Sequence, residues 1–138
     1  MFKFSDVSKE RLAMAHPALQ DVFNEIINFV NIGITCSVRT VEEQKRLVAD
    51  GKSQTMNSYH IPIEGQRYSR AVDIVWYSDF KGDYVWSSNP YRIIGPAVVE
   101  LGRRKGYIIR WGGDWDRDGD QRDQSFMDLV HFEYRGKI

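Results

Sequence analysis

The sequence predicts a small α+β domain, a mainly antiparallel sheet with helices packed on one face and a functional site on the other. Three observations carry this. The 138 residues suffice for one core and leave no room for a second ordinary domain, so residues 1–138 are expected to form one unit. Hydrophobic spacing switches along the chain between the three-and-four of a helix and the two of a strand. Three predicted strands also carry a polar group opposite their apolar alternation, namely Arg39, Asp73 and His131. A sheet face bearing a guanidinium, a carboxylate and an imidazole either exposes them to water or uses them.

The elements follow in order. From Pro17, the residues Leu19, Val22, Phe23, Ile26, Ile27 and Val30 form the apolar stripe of a helix, which Gly33 is expected to stop. Ile34, Cys36 and Val38 alternate with Thr35, Ser37 and Arg39 as in a half-buried strand. Thr40-Val41-Glu42-Glu43 is a capping box opening a helix that ends at Gly51, so Arg39 falls at a strand-to-helix corner. Residues 52 to 69, polar and containing Pro62 and Gly65, read as a long loop. Val72, Ile74 and Trp76 then share one face of a strand and leave Asp73 on the other. Asn89-Pro90 starts a helix with Tyr91, Ile94, Val98 and Leu101 in register, closed by Gly106. Tyr107 to Trp111 reads as a strand, followed by an acidic loop from Gly112 to about Asp128. The last strand sets Val130, Phe132 and Tyr134 against His131 and Glu133.

Composition narrows the function. Nineteen basic residues balance nineteen acidic ones, so no global field draws the chain to nucleic acid or anionic lipid. Cys36 is the only cysteine, which excludes an internal disulfide and a zinc site built on several thiolates. Its setting, Ile34-Thr35-Cys36-Ser37-Val38, reads as a small apolar residue in a buried strand, with no histidine near it in sequence to make it a nucleophile. Met1 to Asp6 lack the apolar run of a signal peptide, and no window approaches the roughly 18 apolar residues of a membrane span. The expectation is a soluble monomer kept in the cytoplasm where it is made.

Zinc is commonly held by imidazole nitrogen and carboxylate oxygen, with one position left open in catalytic sites. His60, Asp73 and His131 can supply that set. Spacing alone leaves the alternative of a solvated loop histidine, a strand-edge charge and a satisfied core histidine. His16, before Pro17, reads as a surface residue near a helix start. Asp114, Asp116, Asp118 and Asp120 alternate before and after Gly119 as at the start of a calcium loop, though Ser125 stands at the twelfth position where a glutamate belongs. The expectation is a weak Ca2+ site that orders this loop and raises activity, against the alternative of solvated acids.

Ser58-Tyr59-His60, Ala71-Val72-Asp73 and Asp128-Leu129-Val130-His131 resemble, in order, the SxH, AxD and DxxH signatures of the M15 zinc peptidases, in the lineage of phage endolysins that cleave L-alanyl-D-glutamate bonds in peptidoglycan. The resemblance spans nearly the whole chain and takes in Ser37-Val38-Arg39-Thr40, Gln44 and Gly112-Gly113-Asp114-Trp115. One departure is the longer stretch between His60 and Asp73, which adds Pro62, Glu64, Gly65 and Arg67. The resemblance implies that His60, Asp73 and His131 are the Zn2+ ligands and that Asp128 is the acid/base passing a proton from water to the leaving nitrogen. Arg39 would stabilise the oxyanion or grip a substrate carboxylate, unless it is a surface cation paired with Glu42 or Glu43. Ser58 would hydrogen-bond a ligand or the substrate, and Glu133 is either a partner of His131 or a solvated strand residue.

The resemblance further implies a peptidoglycan stem peptide as substrate, bacterial lysis as outcome and a separate holin-type protein giving access to the wall. A D-alanyl-D-alanine carboxypeptidase of the same fold is the alternative, as is a non-catalytic zinc-stabilised wall-binding module like the related hedgehog domain. Carboxypeptidase members carry Glu at the base position and Trp before the last histidine, so Asp128 and Val130 favour the endopeptidase.

Overall fold

A computed structural model describes residues 1–53, 55–124 and 126–138; Ser125, the twelfth position of the acidic loop, lies outside the described residues. Four helices, α1 (Asp6–Ala13), α2 (Pro17–Ile26), α3 (Val41–Ala49) and α4 (Ser88–Arg104), accompany five strands. These are β1 (Ile32–Cys36), β2 (Ala71–Ser78), β3 (Asp83–Val85), β4 (Tyr107–Gly112) and β5 (Asp128–Lys137). All the strand pairings are antiparallel; the order is β1-β2-β5-β4, with β3 on the far end of β2. The α+β class and the antiparallel sheet are as expected.

The apolar faces of α2 and α4 meet the inward residues of β1, β2, β4 and β5 in one core. Leu19, Val22, Phe23, Ile34, Val72, Ile74, Tyr91, Val98, Trp111 and Phe132 are all buried there. Gly95 makes the α4 contact possible, since a Cβ there would sit 2.2 Å from the Trp111 ring. The Thr40–Glu43 capping box forms with both bonds at 3.1 Å, and α3 ends before Gly51 at φ +73°.

Three expectations need correction, and two further elements left no periodic signal. The second helix stops at Ile26, and Gly33 lies inside β1, where it packs against Ser8. Helix α1 carries no apolar stripe, since only Ser8 and Leu12 of it are buried, and periodicity therefore could not reveal it. The three-residue β3 is too short for alternation to reveal. Cys36 is not a core residue: β1 slips register between Ile34 and Cys36, making Thr35 an extra residue opposite β2. Such a bulge inverts the alternation after it, so Cys36 faces Asp73 instead of joining Ile34 in the core. His16 caps α2 through Nδ1, which accepts from Ala18 N at 3.0 Å, and its ring stacks on Tyr134, so it is half-buried.

Candidate functional site

Register across the sheet builds the site. Asp73 is the cross-strand partner of Cys36 on β1 and of His131 on β5, so three chemically active side chains stand in a row on the face away from the core. His60 reaches this row from the long loop, which is tied to the corner after β1 by Arg39 N donating to His60 O at 2.9 Å. Ser58 Oγ accepts from His60 N at 3.2 Å and so fixes the backbone of that residue. Asp73 and His131 of this row, with His60, floor a cleft of about 730 Å³, walled by Arg39, Tyr59, Arg110, Trp115, Phe126 and Arg135.

Three donor atoms converge at its centre. His60 Nε2 lies 3.2 Å from Asp73 Oδ1 and 3.2 Å from His131 Nδ1, and the latter two are 3.0 Å apart. A tetrahedral zinc with bonds of about 2.0 Å separates its donors by about 3.3 Å, so the triangle fits the ion to within a few tenths of an ångström. The outward nitrogens are also assigned. His60 Nδ1 sits 2.7 Å from Ser37 O, a pure acceptor, and His131 Nε2 sits 2.9 Å from Glu133 Oε1. Both partners take an N–H from the imidazole, leaving a lone pair on the inward nitrogen, the arrangement metal-binding histidines need.

Charge balance agrees. Burial disfavours a charged imidazole at His60, yet Asp73 beside it outweighs this and raises His60 to about 10. Burial likewise opposes charge on His131, and hydrogen bonds to Asp73 and Glu133 lift it to about 9. Asp73, although buried, is driven well below the ordinary carboxylate range by the two histidines. A buried carboxylate thus draws cationic charge to this point, a charge that either protons or a divalent ion can supply.

Glu133 is buried and is the partner of His131, held in turn by Arg110 at 2.7 Å. Asp128 lies where the acidic loop enters β5, its carboxylate within 4.8 Å of donor atoms of Asp73 and His131. Burial and the Asp73 charge raise it from its ordinary value, the direction that favours carrying a proton. Gly112 permits this approach: a Cβ there would stand 2.0 Å from Asp128 O. Arg39 does not pair with Glu42 or Glu43. Its guanidinium points into the cleft, donating to Gln44 Oε1 at 2.8 Å and to Cys36 Sγ at 3.5 Å, with Asp73 Oδ2 at 3.8 Å.

Gln44 is fully buried and anchors Arg39, while its amide donates to Ser53 Oγ and Thr55 O. Its place in the first turn of an amphipathic helix could have marked it, because a buried amide needs partners. The contact of Cys36 with His60 was not legible because the bulge leaves no mark in the alternation; its Sγ is 3.6 Å from His60 Nδ1. Trp115 was also missed as part of the site: its ring lies 5.7 Å from His131 and stacks on Phe126.

The acidic loop brings together Asp114, Asp116 and Asp118 but not Asp120, contrary to expectation. Asp120 instead caps the short 3-10 turn Gln121–Asp123, accepting from Arg122 N at 2.9 Å and Arg122 Nε at 3.0 Å. The loop is closed by its own backbone, with Gly119 N donating to Asp114 Oδ2 at 2.9 Å and Asp120 N to Asp118 Oδ1 at 2.8 Å. Among the described residues, no helix is long and apolar enough to cross a membrane.

Comparison with known proteins adds to this geometry. Residues 1–134 match the family model described as phage L-alanyl-D-glutamate peptidase. The L-alanyl-D-glutamate peptidase of Escherichia phage T5 is 28% identical over 129 residues, covering 89% of this chain and 88% of its own. The crystal structure of the Serratia marcescens L-Ala D-Glu endopeptidase ChiX superposes with a TM-score of 0.75 at 27% identity, covering 96% of this chain and 90% of that one.

Proposed function

Because this chain belongs to the phage L-alanyl-D-glutamate peptidase family, we propose that it is a zinc peptidase cutting the bond between L-alanine and D-glutamate in peptidoglycan stem peptides, with His60, Asp73 and His131 as the metal ligands. The observation that carries the reading is the triangle of donor atoms 3.0 to 3.2 Å on a side, each imidazole held from behind by an acceptor. Bound there, zinc would supply Lewis acidity, polarising a carbonyl and bringing a water's pKa toward about 7.

This chain's residues do the rest. Asp128, raised by burial and by Asp73, takes a proton from the attacking water and delivers it to the leaving nitrogen. Arg39, held by Gln44 on the Asp73 side of the cleft, directs its guanidinium at the oxygen that gains charge as the amide carbonyl becomes tetrahedral. Ser58 and Ser37 fix His60 through its backbone and its ring, and Glu133 fixes His131. Trp115 and Phe126 form an apolar wall beside His131 that excludes water from the reacting bond. The Asp114, Asp116 and Asp118 cluster binds Ca2+ weakly and orders the segment leading to Asp128. Cleavage of the stem peptide lyses the wall, which a protein made inside the cell reaches through a separate membrane-permeabilising partner.

Digestion of purified peptidoglycan followed by mass spectrometry tests the reading. The expected product is a new amino terminus on D-glutamate with intact glycan strands. Release of free D-alanine alone selects a carboxypeptidase, and no release by the zinc-loaded protein leaves a binding module. Asp128→Ala should keep its zinc while hydrolysis falls by roughly two to four orders of magnitude.

A further inference from the structure

One wall of the cleft carries more positive charge than its neighbours neutralise. Glu133 is the shared acid of Arg110 and Arg135: Arg110 Nη2 lies 2.7 Å from its Oε2, while Arg135 Nη1 is left at 3.5 Å from that same oxygen. The other oxygen of Glu133 is taken by His131 at 2.9 Å. Arg135 also stacks over Tyr59, 5.2 Å from the ring centre, and Arg70 lies over the same ring at 3.9 Å with its buried Nε lacking a hydrogen-bond partner. Two guanidiniums that line the cleft thus share one carboxylate, and of the two Arg135 has the weaker ionic contact.

We propose that Arg135 is a specificity-determining residue that pairs with the free carboxylate of the substrate's D-glutamyl residue. The inference rests on the peptidase reading above. A glutamyl residue has two carboxyl groups, and the peptide continues through only one of them. The other stays ionised a few bonds from the amide that is cut. Arg135 is one carboxylate removed from His131, through Glu133, so its distance from the metal ligands suits that reach. Arg39 is unsuited to this task, because Gln44 and Asp73 hold it beside the reacting carbonyl. Tyr59 keeps the Arg135 guanidinium extended along the wall, and a planar fork with free N–H groups is the matching donor for a carboxylate.

The test uses two short peptides containing an L-alanyl-D-glutamyl bond, with the spare carboxyl free in one and converted to the primary amide in the other. The zinc-loaded enzyme is expected to cut the carboxylate peptide with a kcat/KM about tenfold to a hundredfold higher, the usual worth of a charge-assisted bond in a partly buried site. Arg135→Gln should collapse that ratio to near one by lowering cleavage of the carboxylate peptide, and Arg135→Lys should recover part of it. Equal cleavage of the two peptides by the unmodified enzyme overturns the inference without need of any variant, as does an Arg135→Gln ratio equal to that of the parent. Cleavage of neither peptide overturns the peptidase reading itself and this inference with it.

Discussion

Two regions of this molecule gather acidic and metal-ligating groups, and they differ in where the remaining polar atoms go. At the floor of the cleft, His60, Asp73 and His131 turn one donor each toward a common point, while the opposite nitrogens of the histidines are held by Ser37 O and Glu133. In the acidic loop, the oxygens of Asp114, Asp116 and Asp118 accept from the loop's own backbone N–H groups, and the carboxylates are mostly exposed. The first arrangement has its supports outside and its donors inward. The second is already partly satisfied as a turn, so any ion must compete with those bonds and with water. Burial with outward support therefore separates a convergent donor set from a self-satisfied acidic turn better than counting carboxylates does.

That contrast ranks the expected effects. His60→Ala, Asp73→Ala and His131→Ala should each lower zinc occupancy and reduce wall hydrolysis on the order of a thousandfold or more, because a catalytic ion cannot stay ordered on two ligands. Full zinc content in all three, read by elemental analysis, would remove them as ligands. Glu133→Gln, which retains shape but weakens the acceptor behind His131, should weaken zinc binding by about tenfold to a hundredfold, measured by competition with a chelator.

A smaller but directional effect is expected from pH. In the metal-free protein His60 is raised to about 10 and His131 to about 9, so their contribution to stability is complete below the ordinary value of 6.5 and is lost as pH rises through 9 to 10. Zinc-loaded protein should slope the other way below about pH 6.5, since the bound imidazoles are unprotonated while those of the unfolded chain take up protons. Thermal melts across pH, with and without a chelator, read both slopes; parallel curves would mean that the ion does not replace those protons. The smallest effect belongs to the loop. Calcium should raise activity several-fold with an affinity on the order of micromolar to millimolar, and Asp116→Ala with Asp118→Ala should abolish the response. An unchanged rate and no heat of binding up to several millimolar would leave the loop as a self-capped turn.

Much of this was legible because it follows from periodicity. The β2 alternation puts Asp73 opposite Val72 and Ile74, and the β5 alternation puts His131 and Glu133 opposite Phe132, so two of the proposed ligands and the partner of one could be placed by face alone. His60 was open from its chemistry alone, since a loop residue has no face, and the resemblance to a known signature singled it out. What stayed hidden depends on local departures from regularity. The extra residue Thr35 in β1 turns Cys36 to the Asp73 side of the sheet. The Arg110 contact with Glu133 depends on the pairing of β4 with β5, which a single strand's pattern does not contain. The acidic spacing of Asp114 to Asp120 was visible, but its capping of backbone amides was not, and Asp120 consequently belongs with Arg122.

The central claim is the identity of the three donors, and Cys36 gives it a sharp competitor because its Sγ, His60 and Asp73 also lie within 4.8 Å of one another. X-ray absorption at the zinc edge of the loaded protein distinguishes the two. The triad predicts only nitrogen and oxygen neighbours, at about 2.0 to 2.2 Å, with two imidazoles in the outer scattering. A sulfur neighbour at about 2.3 Å would place the metal on Cys36 and contradict the assignment of His131 as the third ligand beside His60 and Asp73.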